Sequence, residues 1–349
     1  MSRAVIAMSG GVDSTVAAHL IIQKGFDCIG ATMRLLGESK TDCLSNEYND
    51  ARTAAARLGI AHDIINFSDD FERKVIGNFI DSYERGETPN PCIECNRYMK
   101  FGALLEYTKA LSYDYLVTGH YAKIKNEGGR YYLMKAADPE KDQSYFLYFL
   151  TQKQLKHIML PLGELSKNEV RKIAKAEGFT NAKKKESQDI CFVPNGDYAK
   201  FIETVSGKAY PHGNFMDKNG SILGKHKGLI RYTIGQRKGL GLALPKPLYV
   251  CEKKAAENAV ILGENEDLYK KTLRVKNLNF IPFDNPPKVF EAKVKVRYRQ
   301  KEQPAFISIE NDGTAKVEFL QAQRAITPGQ TAVFYDGDMV LGGGVILPN

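Results

Sequence analysis

The stretch Ala4-Val-Ile-Ala-Met8 followed by Ser9-Gly10-Gly11-Val12-Asp13-Ser14 constrains this chain more than any other. Five apolar residues have the length of a buried strand. Val16, Ala17, Leu20 and Ile21 then recur at helical spacing, which predicts a helix from about Ser14 to Lys24. A glycine pair between strand and helix lets bare amide N–H groups face outward beside the positive end of the helix dipole, and such a nest holds phosphate. The lysine of the G-x-x-x-x-G-K-[ST] nucleotide loop is missing, so that motif is not met. A ligand-free glycine turn in an ordinary βα unit is the plainer alternative.

The first half of the chain alternates strand-like with helix-like segments, the pattern of a parallel α/β sheet. Asp27–Met33 and Ala61–Phe67 read as strands, with a helix over Tyr48–Leu58 between them. Further helices are expected from about Asp69 to Arg85 and from about Asn96 to Ser112, with the loop Gly86–Glu94 between. Tyr115–Thr118 reads as a buried strand ending in Gly119-His120, which puts Met33, Gly119 and His120 on the ligand-bearing edge of the sheet. Gly128-Gly129 predicts a hairpin of Ala122–Lys125 with Arg130–Met134, and Ser166-Lys-Asn-Glu169 is a capping box. Beyond Gly207 short strands and glycine turns take over. Ala292, Val294, Val296 and Tyr298 alternate with Lys293, Lys295, Arg297 and Arg299, giving one apolar and one basic strand face. Two hairpin signatures, around Asn311-Asp-Gly and Asp336-Gly337, complete a small antiparallel barrel.

With 349 residues there is room for two or three domains. No apolar run approaches the ~20 residues that span a bilayer. The first strand begins at once, so no signal peptide is expected. Six cysteines without a secretory signal then indicate a reducing, cytoplasmic compartment. A net charge of +8 favours a polyanionic partner, and the phosphate contacts expected for one are Lys183–Lys185, Arg231, Arg237, Lys238 and the Lys293–Arg299 face.

Cys92 and Cys95 form a Cys-x-x-Cys within Thr88-Pro-Asn-Pro-Cys-Ile-Glu-Cys-Asn-Arg97. Cys95, just before a predicted helix, is expected to have a lowered pKa, and Cys191 follows a basic stretch that also favours thiolate. Cys28 and Cys251 read as buried core thiols, and Cys43 is left unassigned. Three chemistries suit Cys92, Cys95 and Cys191: structural zinc with a further ligand, a redox pair handling a persulfide, and an iron–sulfur cluster with one open iron.

Ser9-Gly-Gly-x-Asp-Ser14 resembles the PP-loop of ATP pyrophosphatases, which split ATP to AMP and pyrophosphate while adenylating a substrate. Read with Thr88-Pro-Asn-Pro91, Cys95-Asn96, Thr118-Gly-His-Tyr121, Lys141-Asp-Gln-Ser-Tyr-Phe-Leu147, Ile190-Cys-Phe192, Gly235-Gln-Arg-Lys-Gly-Leu-Gly241, Val296-Arg-Tyr-Arg-Gln300, Pro328-Gly-Gln330 and Gly342-Gly-Gly344, it makes the whole chain similar to the tRNA-specific 2-thiouridylases. The resemblance implies a PP-loop domain over 1–206, a small central domain over 207–270 and a C-terminal β-barrel over 271–349. It implies thiolation at C2 of the wobble uridine in tRNAs for lysine, glutamate and glutamine, with ATP, Mg2+ and a protein persulfide or sulfide donor, by a monomer. Ala7, Met8, Ser9, Gly10, Gly11, Val12, Asp13, Ser14, Met33 and Gly119 would bind ATP, with Asp13 orienting magnesium or capping the helix. Asn90, Pro91 and Cys92 would line the base pocket. Cys95 matches the nucleophile, and Cys191 the persulfide carrier. His120, Lys141, Asp142, Gln143, Arg297, Tyr298 and Gln330 match tRNA contacts. Many members have aspartate where this chain has Cys92, and the change completes a three-cysteine set that also suits a [4Fe-4S] cluster. A PP-loop amidating ligase would leave the cysteines unexplained, and a zinc-bearing RNA-binding protein would leave the intact PP-loop unexplained.

Overall fold

The computed structural model describes residues 1–37, 45–179, 181, 189–243 and 246–348. Ala4, Val5 and Ile6 are fully buried at the centre of a five-stranded sheet. Its strands are β1 (Arg3–Ala7), β2 (Asp27–Arg34), β3 (Ala61–Asn66), β4 (Tyr115–Val117) and, after the hairpin of β5 (Lys123–Glu127) with β6 (Arg130–Met134), the short β7 (Ile158–Met159). The order is β3-β2-β1-β4-β7 and every pairing is parallel. The chain steps outward from β1 through β2 to β3, then crosses back to place β4 on the other flank of β1. That reversal opens a crevice at the carboxyl ends of β1 and β4, where doubly wound sheets bind ligands.

Helix α1 (Val12–Gln23) buries Val16, Ala17 and Ile21 against Ile6 and Val117 and against Val170 and Ala174 of the helix Lys167–Ala176. The latter helix starts where the capping box predicts: Ser166 Oγ accepts from Glu169 N at 3.3 Å, and Glu169 Oε2 accepts from Ser166 N at 2.7 Å.

A four-stranded sheet follows, built from β8 (Gly213–Met216), β9 (Ile222–His226), β10 (Tyr249–Lys254) and β11 (Ala259–Gly263) in the order β10-β11-β8-β9. It packs its own core around Phe215, Val250, Val260 and Leu262. The last part is a closed antiparallel barrel of β12 (Tyr269–Phe280), β13 (Val289–Lys295), β14 (Gln303–Ile309), β15 (Ala315–Arg324), β16 (Thr331–Asp336) and β17 (Met339–Ile346). The order is β12-β15-β14-β13-β16-β17, and β17 pairs back on β12. Both expected C-terminal hairpins are present, with Val294, Ile307, Val317 and Phe334 turned inward.

Two local expectations need correcting. The helix expected at Asn96 begins at Pro91, because Asn90 caps it and proline suits the first helical position. The apolar/basic alternation expected through Arg299 stops with β13 at Lys295, and the chain then turns, with Gln300 N donating to Arg297 O at 3.2 Å. The expected β5–β6 hairpin is present, and β6 pairs with β17 at Met134 and Met339, extending the barrel's sheet. Tyr145 and Tyr148 share one buried cluster with Val333, Tyr335 and Val340, so the first and last parts of the chain have a common core.

Candidate active site

The glycine loop is built by its neighbours. Gly10 has φ +72°, and a Cβ there would lie 2.6 Å from Glu47 O, so close approach of the helix Ser45–Arg57 requires glycine. Ser14 turns inward, its Oγ donating to Gly11 O at 3.0 Å and accepting from Ser9 N at 3.2 Å. Asn181 donates to Gly10 O at 3.2 Å and to Thr15 Oγ1 at 2.8 Å. A Cβ on Gly119 would lie 2.9 Å from Ser14 N, so the end of β4 also rests on this first turn. Among the described residues no side chain caps the amino end of α1. Its uncapped N–H groups at the sheet's switch point suit a nucleotide's phosphates.

Asp13 does not cap the helix as expected; its carboxylate is turned to two other partners. Lys167 Nζ donates to both of its carboxylate oxygens at 2.7 Å, and Tyr121 OH donates to Oδ1 at 2.8 Å. The Lys167 side chain is only 7% exposed and that of Asp13 30%, so the ammonium is the buried member of the pair. A carboxylate held in this way does not cap α1. It places a cation beside a loop whose own sequence lacks one.

Asn90 Oδ1 accepts from Cys92 N at 3.2 Å, and from Pro91 the chain is helical without interruption to residue 110. The turns Cys95–Leu104 are π-helical, a distortion frequent at functional sites. Cys92, Cys95, Asn96 and Lys100 present one side of this helix to a large cleft. Cys191 reaches the same cleft from the segment between the helices Lys167–Ala176 and Tyr198–Ser206. Cys92 and Cys191 are exposed at the cleft, and Cys95 is half-buried.

The expected lowering of the thiol pKa values is not found. Burial raises Cys92, Cys95 and Cys191, the last to about 12. The helix-terminal position belongs to Cys92, one turn before Cys95, and desolvation outweighs the dipole at both. Lys100 opposes the rise at all three. The described cysteines are all free thiols. Among the described residues no three cysteine, histidine or carboxylate side chains are grouped as metal ligands, so this donor arrangement does not fit the cluster considered above.

His120 is buried at the end of β4, 2.8 Å from Thr118 Oγ1 through Nδ1 and 3.5 Å from Lys100 Nζ through Nε2. An ammonium has no acceptor, so Nε2 is the unprotonated nitrogen and Nδ1–H donates to threonine. Burial, reinforced by Lys100, holds the ring's pKa well below its ordinary value.

The cleft has a volume of about 1860 Å³ and runs from Met8, Ser9, Asp13 and Met33, past Asn90, Pro91 and the cysteines, to Lys293, Lys295, Tyr298 and Arg299. Ala7, Gly10, Gly11, Val12, Ser14 and Gly119 adjoin the cleft's lining residues in the chain without being among them. Lys141, Asp142 and Gln143 line it, but two of them hold the turn: Asp142 accepts from Ala136 N and Ser144 N, both at 3.1 Å, and Gln143 Oε1 accepts from Tyr121 N at 2.9 Å. Arg297 and Gln330 are not on this wall. Arg297 donates to Ala325 O and Thr327 Oγ1, and Gln330 Nε2 donates to Thr88 O at 2.8 Å. Arg231 is paired with Glu203 at 2.6 Å. Lys183–Lys185 and Cys43 lie outside the described residues.

Three family models match the sequence: a tRNA methyl transferase HUP domain over residues 2–195, a tRNA methyl transferase PRC-barrel domain over 199–264 and an aminomethyltransferase beta-barrel domain over 270–346. The tRNA-specific 2-thiouridylase MnmA of Carboxydothermus hydrogenoformans is 48% identical over 99% of this chain and 97% of its own. That of Clostridium acetobutylicum is 47% identical over 99% of each chain. The chain belongs to the tRNA-specific 2-thiouridylase family. A U34-tRNA thiolase, NcsA, from Methanococcus maripaludis, solved with its [4Fe-4S] cluster, matches 59% of this chain and 64% of its own at 19% identity and a TM-score of 0.36, a likeness too slight to carry anything across.

Viewed as a 2-thiouridylase, the chain has three cleft residues that its motifs do not announce. Lys167 and Tyr121 fall inside motifs recognised for other reasons, a capping box and the end of Thr118–Tyr121. Lys100 reads in sequence as one more solvated charge on an amphipathic helix. Only the fold turns each toward the cleft.

Proposed function

We propose that this chain is an ATP-dependent sulfurtransferase acting at C2 of the wobble uridine of tRNAs for lysine, glutamate and glutamine. The observation that carries the reading is a single cleft joining an uncapped phosphate loop, three free thiols and a lysine-lined barrel edge. Family membership supports the reaction class. The protein works as a cytoplasmic monomer supplied by a protein persulfide donor, with functional units dividing near residues 206 and 270.

The loop Ser9–Gly11 and the start of α1 hold the phosphates, and Met33 and Gly119 border the adenosine. Uracil O2 attacks the α-phosphate and pyrophosphate departs. The charge growing on that leaving group falls to Lys167, in the manner of preorganised electrostatic catalysis. Mg2+, when bound with the nucleotide, supplies further neutralisation. The wobble base must leave its stack to reach the cysteines, and Asn90, Pro91 and Cys92 border the pocket that receives it. Lys293, Lys295 and Arg299 supply phosphate contacts that fix the anticodon arm without reading sequence.

The terminal sulfur of a Cys191 persulfide attacks the adenylated C2 and displaces AMP, leaving the base joined to Cys191 through two sulfurs. Cys95 thiolate then attacks Cys191 Sγ. The Cys95–Cys191 disulfide forms, 2-thiouridine departs, and an external dithiol restores both thiols. The disulfide needs the two Cα atoms within about 7 Å.

Replacing Cys95 with alanine tests the sequence of steps. AMP release and tRNA binding are expected to survive while thiolated product vanishes, and a covalent protein–tRNA adduct that dithiothreitol dissolves should accumulate. Cys191→Ala should give neither product nor adduct. Turnover at the wild-type rate in either variant sinks this mechanism.

A further inference from the structure

We infer that Lys100 is a positioning residue for the sulfur chemistry: its ammonium, seated against neutral His120, faces the three thiols of the cleft floor and settles where negative charge resides among them. The inference rests on Cys95 and Cys191 being the reacting sulfurs.

Its geometric basis is the helix that begins at Pro91. Cys92, Cys95, Asn96 and Lys100 follow helical spacing and all line the cleft, so the ammonium rises from the same face as the Cys-x-x-Cys. His120 Nε2 lies 3.5 Å from Lys100 Nζ, and the hydrogen bond of His120 to Thr118 at 2.8 Å fixes that ring from behind. The ring is neutral, so the pair carries one positive charge.

The surroundings give that charge its importance. Burial raises all three thiols, Cys92 raises Cys95, and both raise Cys191. Glu47, approaching from the helix Ser45–Arg57, raises Cys191 further. Among the described residues, Lys100 is the one cation that favours the ionised form of all three. A single cation shared by three mutually repelling sulfurs favours one thiolate at a time. The anion can therefore sit on the attacking sulfur first and on Cys95 afterwards, while the same ammonium neutralises both.

The test is iodoacetamide alkylation of the full chain without tRNA or ATP, followed site by site by mass spectrometry from pH 6.5 to 9.5. In Lys100→Met the rates at Cys95 and Cys191 should fall at least tenfold at every pH, while Lys100→Arg stays within threefold of wild type. Cys251, in the central sheet, should react at an unchanged rate and reports that the fold is intact. Coincident wild-type and Lys100→Met profiles at Cys95 and Cys191 overturn the inference. So does an equal loss in Lys100→Arg, which would make the lysine a packing element. Because alkylation needs neither substrate, a Lys100-dependent profile in a protein that fails to thiolate tRNA would count against the proposed function and leave only the effect of Lys100 on the thiols standing.

Discussion

Lys167 reaches Asp13 across 154 residues of sequence, and the pair shows what a residue alone does not reveal. Asp13 is legible because its motif is local. Its partner is not, since a lysine after a capping serine is common and its burial depends on where the helix Lys167–Ala176 docks. Lys167→Met is expected to lower tRNA-dependent AMP formation by about 100- to 1000-fold, the scale seen when one preorganised charge-stabilising donor is lost. Quench-flow measurement of labelled AMP checks this, and near-normal rates would remove the lysine from the leaving-group step. His120 gives a second expectation. Its folded pKa lies below its ordinary value, so the unfolded chain binds the extra proton first as pH falls. The stability that the neutral ring contributes is complete above pH ~6.5 and is lost on acidification below it, by at most about 1.4 kcal/mol per pH unit for one proton. His120→Gln should flatten that part of the profile, as urea titrations at pH 7.5 and 5.5 would record. His62 and His226 are shifted the same way and keep their own share of the slope.

Among the elements, the helix starting at Pro91 and the loop before it decide where the thiols stand. The run Gly86–Glu94 reads as a loop, and the sequence offers no measure of whether Asn90 caps a helix inside it; five residues of error move Cys95 from a helix end into a helix. The loop is also held from behind. Thr88 N donates to Pro328 O at 2.8 Å, Gln330 returns a bond to Thr88 O, and a Cβ on Gly329 would fall 2.9 Å from Thr88 N. The segment Pro328–Gln330 thus splints the Cys-x-x-Cys loop. Gln330→Ala is expected to lower kcat several-fold with little change in tRNA affinity, as single-turnover kinetics beside filter binding would separate. A large loss of affinity at unchanged kcat would make Gln330 a tRNA contact after all. By contrast, the parallel strands and the two C-terminal hairpins were plain in sequence, because alternation and turn residues are local signals.

For the whole molecule, the shared core around Tyr145, Tyr148, Val333 and Tyr335 joins the first and last parts. A chain ending near residue 264 should aggregate or bind a hydrophobic dye on expression; a soluble, folded fragment that still releases AMP would show the parts to be separable. No local pattern announced this, since the β5–β6 turn specifies a hairpin and not the sheet it will join. The hairpin's membership in the barrel sheet also has a consequence in time. Strand β6 is made about 200 residues before β17, and at a translation speed of roughly 5–20 residues per second that is an interval of about 10–40 s. Throughout that interval the growing chain carries a strand with one open edge, the kind of edge on which neighbouring nascent chains on a polysome can pair.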